Sequence, residues 1–319
     1  MLAHPIQGVL CTGNLVYDLL VRPVDHMAWG TTTWVEELEQ QLGGNGASTS
    51  YALARLGVPV RLIGLVGADG FGDLLVAKLE AAGVDTGHVG RSAAPTPATV
   101  ALVNSKGERL FLHRPGSSGE ALAEPIDFAE HVGPPGEGAG RFTHYHLANF
   151  CALPRMRPLA AEFLRRAKAA GMTTSLDTGW DSQGRWMEDL GPCLPFTDLL
   201  FVNEDEARLL SGGLAAEEAA RYLEGQGAAC VVVKLGGRGC FILFRGCGIH
   251  SPAFSVNALD TTGAGDCFVG GFLAALHHGQ SLEDAARFAN AVAALSVERL
   301  GAVAGLRSYR ETTDWMAGR

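Results

Sequence analysis

The chain predicts an α/β fold with a mostly parallel central sheet, helices on both of its faces, and a small separate β-sheet. Three observations carry this. Short apolar runs alternate with helix-like patterns along most of the 319 residues, as in sheets built from β-α-β units. Two glycine-rich loops, 43–48 and 260–266, open directly onto helices, as loops at the ligand-binding edge of such sheets do. Two segments, 14–40 and 97–113, break the alternation.

The elements follow in order. Val9 to Thr12 is an apolar strand, and Gly46 to Leu56 a helix stopped by Gly57. Val60 to Val66 reads as a buried strand, and Phe71 to Ala82 as a helix with Gly83 behind it. Thr99 to Val103, a turn at Lys106-Gly107 and Leu110 to Leu112 form a hairpin. Phe142 to Leu147 is a strand, Arg155 to Ala170 a helix closed by Gly171, and Thr173 to Leu176 and Leu199 to Val202 are short strands. Glu217 to Glu224 is helical, and Cys230 to Leu235 a valine-rich strand. Phe268, Phe272 and Leu276, with Val269 and Leu273, mark a last apolar helix ending at Gly279. Residues 1–13, 41–96 and 114–319 then form the α/β domain, and 14–40 and 97–113 a β-lid over the sheet's C-terminal edge. The segment 133–140 reads as a surface loop.

Composition narrows the function. Hydrophobic residues make up 47% and charged residues 18%, enough apolar side chains for a large core. The net charge is −9 and no basic run occurs, which argues against nucleic acid or an anionic membrane as partner. The seven cysteines form no C-x-x-C pair, which predicts reduced thiols and a cytoplasmic protein. No secretory leader and no bilayer-length apolar run is evident.

The strongest motif is Asp260-Thr261-Thr262-Gly263-Ala264-Gly265-Asp266. Its small residues let backbone N–H groups approach an anion, and the following helix adds partial positive charge. Asp266 stands where it can take a proton from a hydroxyl; a plain N-cap is the alternative. Gly43, Gly44 and Asn45 offer bare backbone and an amide to sugar hydroxyls, or merely a tight turn. Asp18, after the first strand, offers a carboxylate to hydroxyls, or is a solvated loop acid. Asn203 and the acids after it, Glu206 among them, suit hydrated Mg²⁺, or simply cap a helix. Lys234, Gly236 and Gly239 follow a strand, so their backbone can approach a nucleotide or turn a hairpin. A Walker loop, a dinucleotide fingerprint and a G-x-S-x-G elbow are all missing.

Taken together, these motifs resemble the ribokinase-like, or PfkB, family of carbohydrate kinases. Five motifs stand in register: 43–57, Gly67-x-Asp69-x-Phe71-Gly72, Asn203-x-x-Glu206, Lys234-x-Gly236-x-x-Gly239 and 260–266. The resemblance implies a three-layer α/β/α fold with a β-lid. It implies an ATP-dependent kinase acting on a sugar or nucleoside hydroxyl, usually CH₂OH. Asp266 would be the base, and Gly263, Ala264 and Gly265 the anion hole. Asn203 and Glu206 would organise Mg²⁺ and phosphates, Lys234, Gly236 and Gly239 the nucleotide, with Asn290 near the adenine. Asp18, Gly43, Gly44 and Asn45 would hold the acceptor. Asp260 would be one ligand of a monovalent cation such as K⁺, with carbonyls near Gly301, and the lid often doubles as a homodimer interface. The match departs from ribokinases proper at Val16, Asn45 and Ser48, where they carry Asn, Lys and Asn, and near Asn149, where they carry a ribose-gripping Glu. The acceptor is therefore not assigned to ribose; a nucleoside kinase and a catalytically silent sugar- or nucleotide-binding protein stay open.

Overall fold

The computed structural model describes residues 6–132 and 142–319. The expected surface loop at 133–140 lies outside them. Nine strands form the main sheet: β1 (Val9–Thr12), β4 (Val60–Gly67), β5 (Asp85–Ser92), β8 (His144–Ala148), β9 (Thr173–Asp177), β10 (Leu199–Asn203), β11 (Cys230–Lys234), β12 (Cys240–Phe244) and β13 (Cys247–Ser251). Their order is β13-β12-β11-β10-β9-β8-β1-β4-β5. All neighbours pair parallel except at the β11-β12-β13 edge, where hairpins make them antiparallel.

Consecutive strand residues supply opposite cores, because side chains alternate across a sheet. Val232 joins one cluster with α1 (Asn45–Arg55), α2 (Gly70–Ala81), α8 (Ala264–His277) and α9 (Leu282–Ser296). Val231 and Val233 join the other, with α4 (Ala160–Ala169), α6 (Glu204–Leu210) and α7 (Ala216–Gly225). The result is three layers, α/β/α. Short α3 (Ala129–Val132) and α5 (Met187–Leu190) and terminal α10 (Tyr309–Ala317) complete the described helices.

A second sheet has the order β3-β2-β6-β7, from β2 (Val16–Arg22), β3 (Glu37–Gly43), β6 (Ala98–Val103) and β7 (Arg109–Arg114). Two antiparallel hairpins meet along the parallel pair β2 and β6. β3 runs on to Gly43, past residue 40 where the expected small-sheet segment ends. The helix expected from Arg155 begins later, at Ala160. Pro158 lacks the N–H that an α-turn needs, so Arg157–Leu159 forms a tighter turn first.

Candidate functional site

The loop 260–265 is the hub of the site. Gly263 takes a left-handed φ of 70° and caps α8 without a side chain. A Cβ there would collide with Ala302, so glycine is required twice over. Asp266 is not the N-cap. It sits within the first turn, three residues after the Gly263 cap, with its carboxylate buried. The capping alternative therefore does not describe it.

Asp266 is held by an amide chain. Asn45 Nδ2 donates to Asp266 Oδ1 at 2.7 Å, and Asn149 Nδ2 donates to Asn45 Oδ1 at 2.6 Å. The Asn45 backbone N–H is fixed in turn by Asn14 Oδ1 at 2.9 Å. Burial, then the nearby charge of Asp177, pushes the Asp266 carboxyl up to about 7, against the pull of Lys234 and Asn45. A carboxyl poised near neutrality is well matched to accept a proton.

Asp18 and Asn149 each carry a buried side-chain oxygen without a partner. Buried acceptors are normally satisfied, so these two point to donors from a bound molecule. Hydroxyl groups are such donors. Burial also pushes the Asp18 carboxyl up to about 6, a Thr99 hydrogen bond opposing it. Gly43 has a packing reason as well, since a Cβ would strike the Asp18 carboxylate. Gly44 has φ 89° and closes on the Asn14 carbonyl.

On the other side of the loop lies a cavity of about 580 Å³. Asn203, Lys234, Gly236, Gly239 and Asn290 all line it, together with Thr261, Ala264 and Gly265. Phe254, Val256 and Val297 give it apolar walls, which the motifs did not reveal. Lys234 Nζ pairs with Asp177 Oδ2 at 2.7 Å and lies 3.3 Å from where a Gly265 Cβ would be. Burial opposes its charge, but Asp177 and Glu206 outweigh this and keep the ammonium protonated. The ammonium thus points at the anion loop. Asp177 ends β9 and was not among the sequence candidates.

Three candidates do more structural work than expected. Asn203 and Glu206 form a capping box, with Asn203 N–H donating to Glu206 Oε2 at 2.8 Å and Glu206 N–H donating to Asn203 Oδ1 at 2.8 Å. Thr178 Oγ1 also donates to Glu206 Oε2 at 3.1 Å. Burial raises the Glu206 carboxyl above its ordinary value. Asn290 spends its amide hydrogens on the Ser251 carbonyl at 3.0 Å and the Pro252 carbonyl at 3.2 Å. It forms a wall of the cavity by pinning that segment.

Asp260 is already engaged. Oδ1 accepts from Thr262 N at 2.8 Å and from the Arg109 guanidinium at 2.8 Å, and Oδ2 accepts from Gly301 N at 2.9 Å. Arg109, on β7, was not among the sequence candidates. No local signal marks it, because its partners come from a distant loop.

The model of the pfkB family carbohydrate kinases matches residues 7–308. The chain is 34% identical to the ATP-dependent ribose-1-phosphate kinase of Halopiger xanaduensis, over 92% of this chain and 93% of that one. It is 29% identical to the ribokinase of Staphylococcus aureus, over 96% and 98%. An Escherichia coli protein assigned as ribokinase II, solved with ATP and Mg²⁺, superposes with a TM-score of 0.83 at 25% identity, over 98% and 100%. A family match over nearly the whole length, on a fold that these neighbours share, means that the chain belongs to the pfkB family of carbohydrate kinases.

Proposed function

We propose that this protein is an ATP-dependent sugar kinase that phosphorylates a primary hydroxyl of its acceptor. The observation that carries the reading is Asp266. It is a buried carboxylate poised near neutral pH, at the mouth of a helix whose entry loop walls the large cavity on one side and, on the other, a small one lined by Asp18, Thr99 and Arg109. The acceptor hydroxyl donates to Asp266, and its oxygen attacks the γ-phosphorus in line. The bond to the β–γ bridging oxygen breaks, ADP leaves, and the hydroxyl proton passes to Asp266. Backbone N–H groups of the loop and the α8 dipole stabilise the transferring oxygens, each good donor worth roughly 10²–10³ in rate. Lys234 adds a fixed positive charge beside Gly265.

The residues fit Mg²⁺–ATP. The cavity suits a nucleotide and its apolar walls suit a base; Glu206, hydrogen-bonded to the cavity-lining Asn203, would hold a metal through water. Mg²⁺ supplies charge neutralisation to the phosphates and keeps most of its waters. Among the described residues no three His, Cys, Asp or Glu side chains cluster to hold a metal by themselves.

Asp18, Gly43, Gly44, Asn45 and Asn149 form the acceptor side in this reading. The orphaned oxygens of Asp18 and Asn149 support a polyhydroxylated acceptor. In the same reading 14–40 and 97–113 are the lid, and the rest of the chain is the catalytic domain. Leu38, Leu110 and Leu112 are exposed on the small sheet, which supports a homodimer through that face. The free thiols suit the cytoplasm.

The test is ADP release with Mg²⁺ across pentoses, hexoses, keto-sugars, nucleosides and ribose 1-phosphate. Turnover that depends on one sugar bears the reading out. Turnover only with a nucleoside makes it a nucleoside kinase. ATP binding with no acceptor-dependent turnover leaves a silent binding protein.

A further inference from the structure

Resting on the kinase reading, we infer that the Arg109 guanidinium takes the place of a monovalent cation beside the anion loop, so that turnover needs no K⁺. The geometry is specific. One guanidinium nitrogen sits 2.8 Å from Asp260 Oδ1 and another donates to Thr262 Oγ1 at 2.7 Å. It therefore bridges both ends of the turn that leads into Gly263. The Asp260 carboxylate is left with no unbalanced charge, since Arg109 neutralises it and two backbone N–H groups complete its hydrogen bonds. A metal cation at the same carboxylate would face the guanidinium, whose charge is permanent.

Arg109 reaches the loop from the small sheet, not from the domain that owns the loop. A second contact from that sheet backs it. Gln41 of β3 packs so closely on Gly301 that any Cβ there would collide with its amide. The 260–262 and 301 segments are thus both braced by the small sheet, Arg109 and Gln41 acting as one clamp. Arg109 is a positioning residue. It orders the loop whose N–H groups meet the phosphoryl oxygens, and the ordering charge arrives with the lid.

Wild type and R109M should be assayed with the acceptor found above, in chloride salts of K⁺, Na⁺ and tetramethylammonium at equal ionic strength. The expected wild-type kcat varies less than about twofold among the salts. R109M should lose at least tenfold in kcat in tetramethylammonium and recover part of it with K⁺ or free guanidinium. Melting of the ligand-free proteins provides an arm that needs no turnover. K⁺ should leave the wild-type melting temperature where tetramethylammonium puts it and should raise that of R109M. A wild type stimulated fivefold or more by K⁺ overturns the inference. So does an R109M that keeps wild-type turnover, or whose loss neither cation relieves. If no acceptor is phosphorylated, the kinase reading fails, and melting alone still decides the cation question.

Discussion

In the proposed role of base, Asp266 has to be a carboxylate when the hydroxyl arrives, yet its surroundings resist that charge. With its carboxyl near 7, kcat/KM should climb with pH and level off above about 7, since only the ionised form accepts a proton. D266N should lower kcat by at least about 10²-fold while ATP still binds. Stability should move the opposite way. A carboxyl raised on folding stabilises fully below its unfolded value near 4, and that contribution is lost as pH rises to about 7. Ligand-free D266N lacks this group, so it should melt with the wild type near pH 4 and above it at pH 8. Near-normal turnover, or no such divergence, would remove Asp266 from the role of base. Asp266, Gly263 and Lys234 were legible because each belongs to a short motif with a physical reason for its spacing. Arg109 and Asp177 were not. Their partners lie 153 and 57 residues away, so only the folded topology creates those contacts.

Helices α1 and α8 explain how the amide chain stays in register. Asn45 begins α1 and Asp266 lies in the first turn of α8, so the spacing of the two helices sets the bond between them. That spacing depends on Gly270, where a Cβ would stand 2.7 Å from the Ala52 Cβ. Gly271 does the same toward α9, with a Cβ 3.0 Å from Val292. G270V should therefore destabilise by about 1–3 kcal/mol through overpacking. It should also lower kcat, because parting the helices lengthens the Asn45–Asp266 bond. A G270V enzyme with lowered melting temperature but full kcat would show that the helix contact serves stability alone. The sequence revealed elements buried on both sides best: β1, β10 and β11 are largely apolar runs, and β4 is one broken by Arg61. Edge strands escaped, because β5 and β13 mix exposed polar residues with glycine. In those two strands the pairing comes from neighbours rather than from a pattern of their own.

At the scale of the whole molecule, one loop separates two chemically different spaces. Thr261, Ala264 and Gly265 wall the large cavity, while Asp260 and Thr262 wall a small one with Asp18, Thr99 and Arg109. The small space measures about 30 Å³, room for roughly one water. If the small sheet is the proposed lid, lifting it to admit a sugar would break the Arg109 and Gln41 contacts that brace the 260–262 and 301 segments. Such coupling would limit ATP hydrolysis without acceptor, since the loop would be braced only under a closed lid. The two spaces should then be separable by mutation. D18A removes a charged acceptor of hydroxyl hydrogen bonds, worth about 1.5–3 kcal/mol, so KM for the sugar should rise roughly 10- to 100-fold. KM for ATP should change less than about threefold. The pH profile gives a second readout. Asp18 near 6 and Asp266 near 7 both need to be ionised, so the acid limb of wild-type kcat/KM for sugar should steepen below pH 6. In D18A only the Asp266 step should remain. If both KM values rise together, or the limb keeps its steepness, Asp18 does not belong to the acceptor space and the division of the site by the 260–265 loop is wrong.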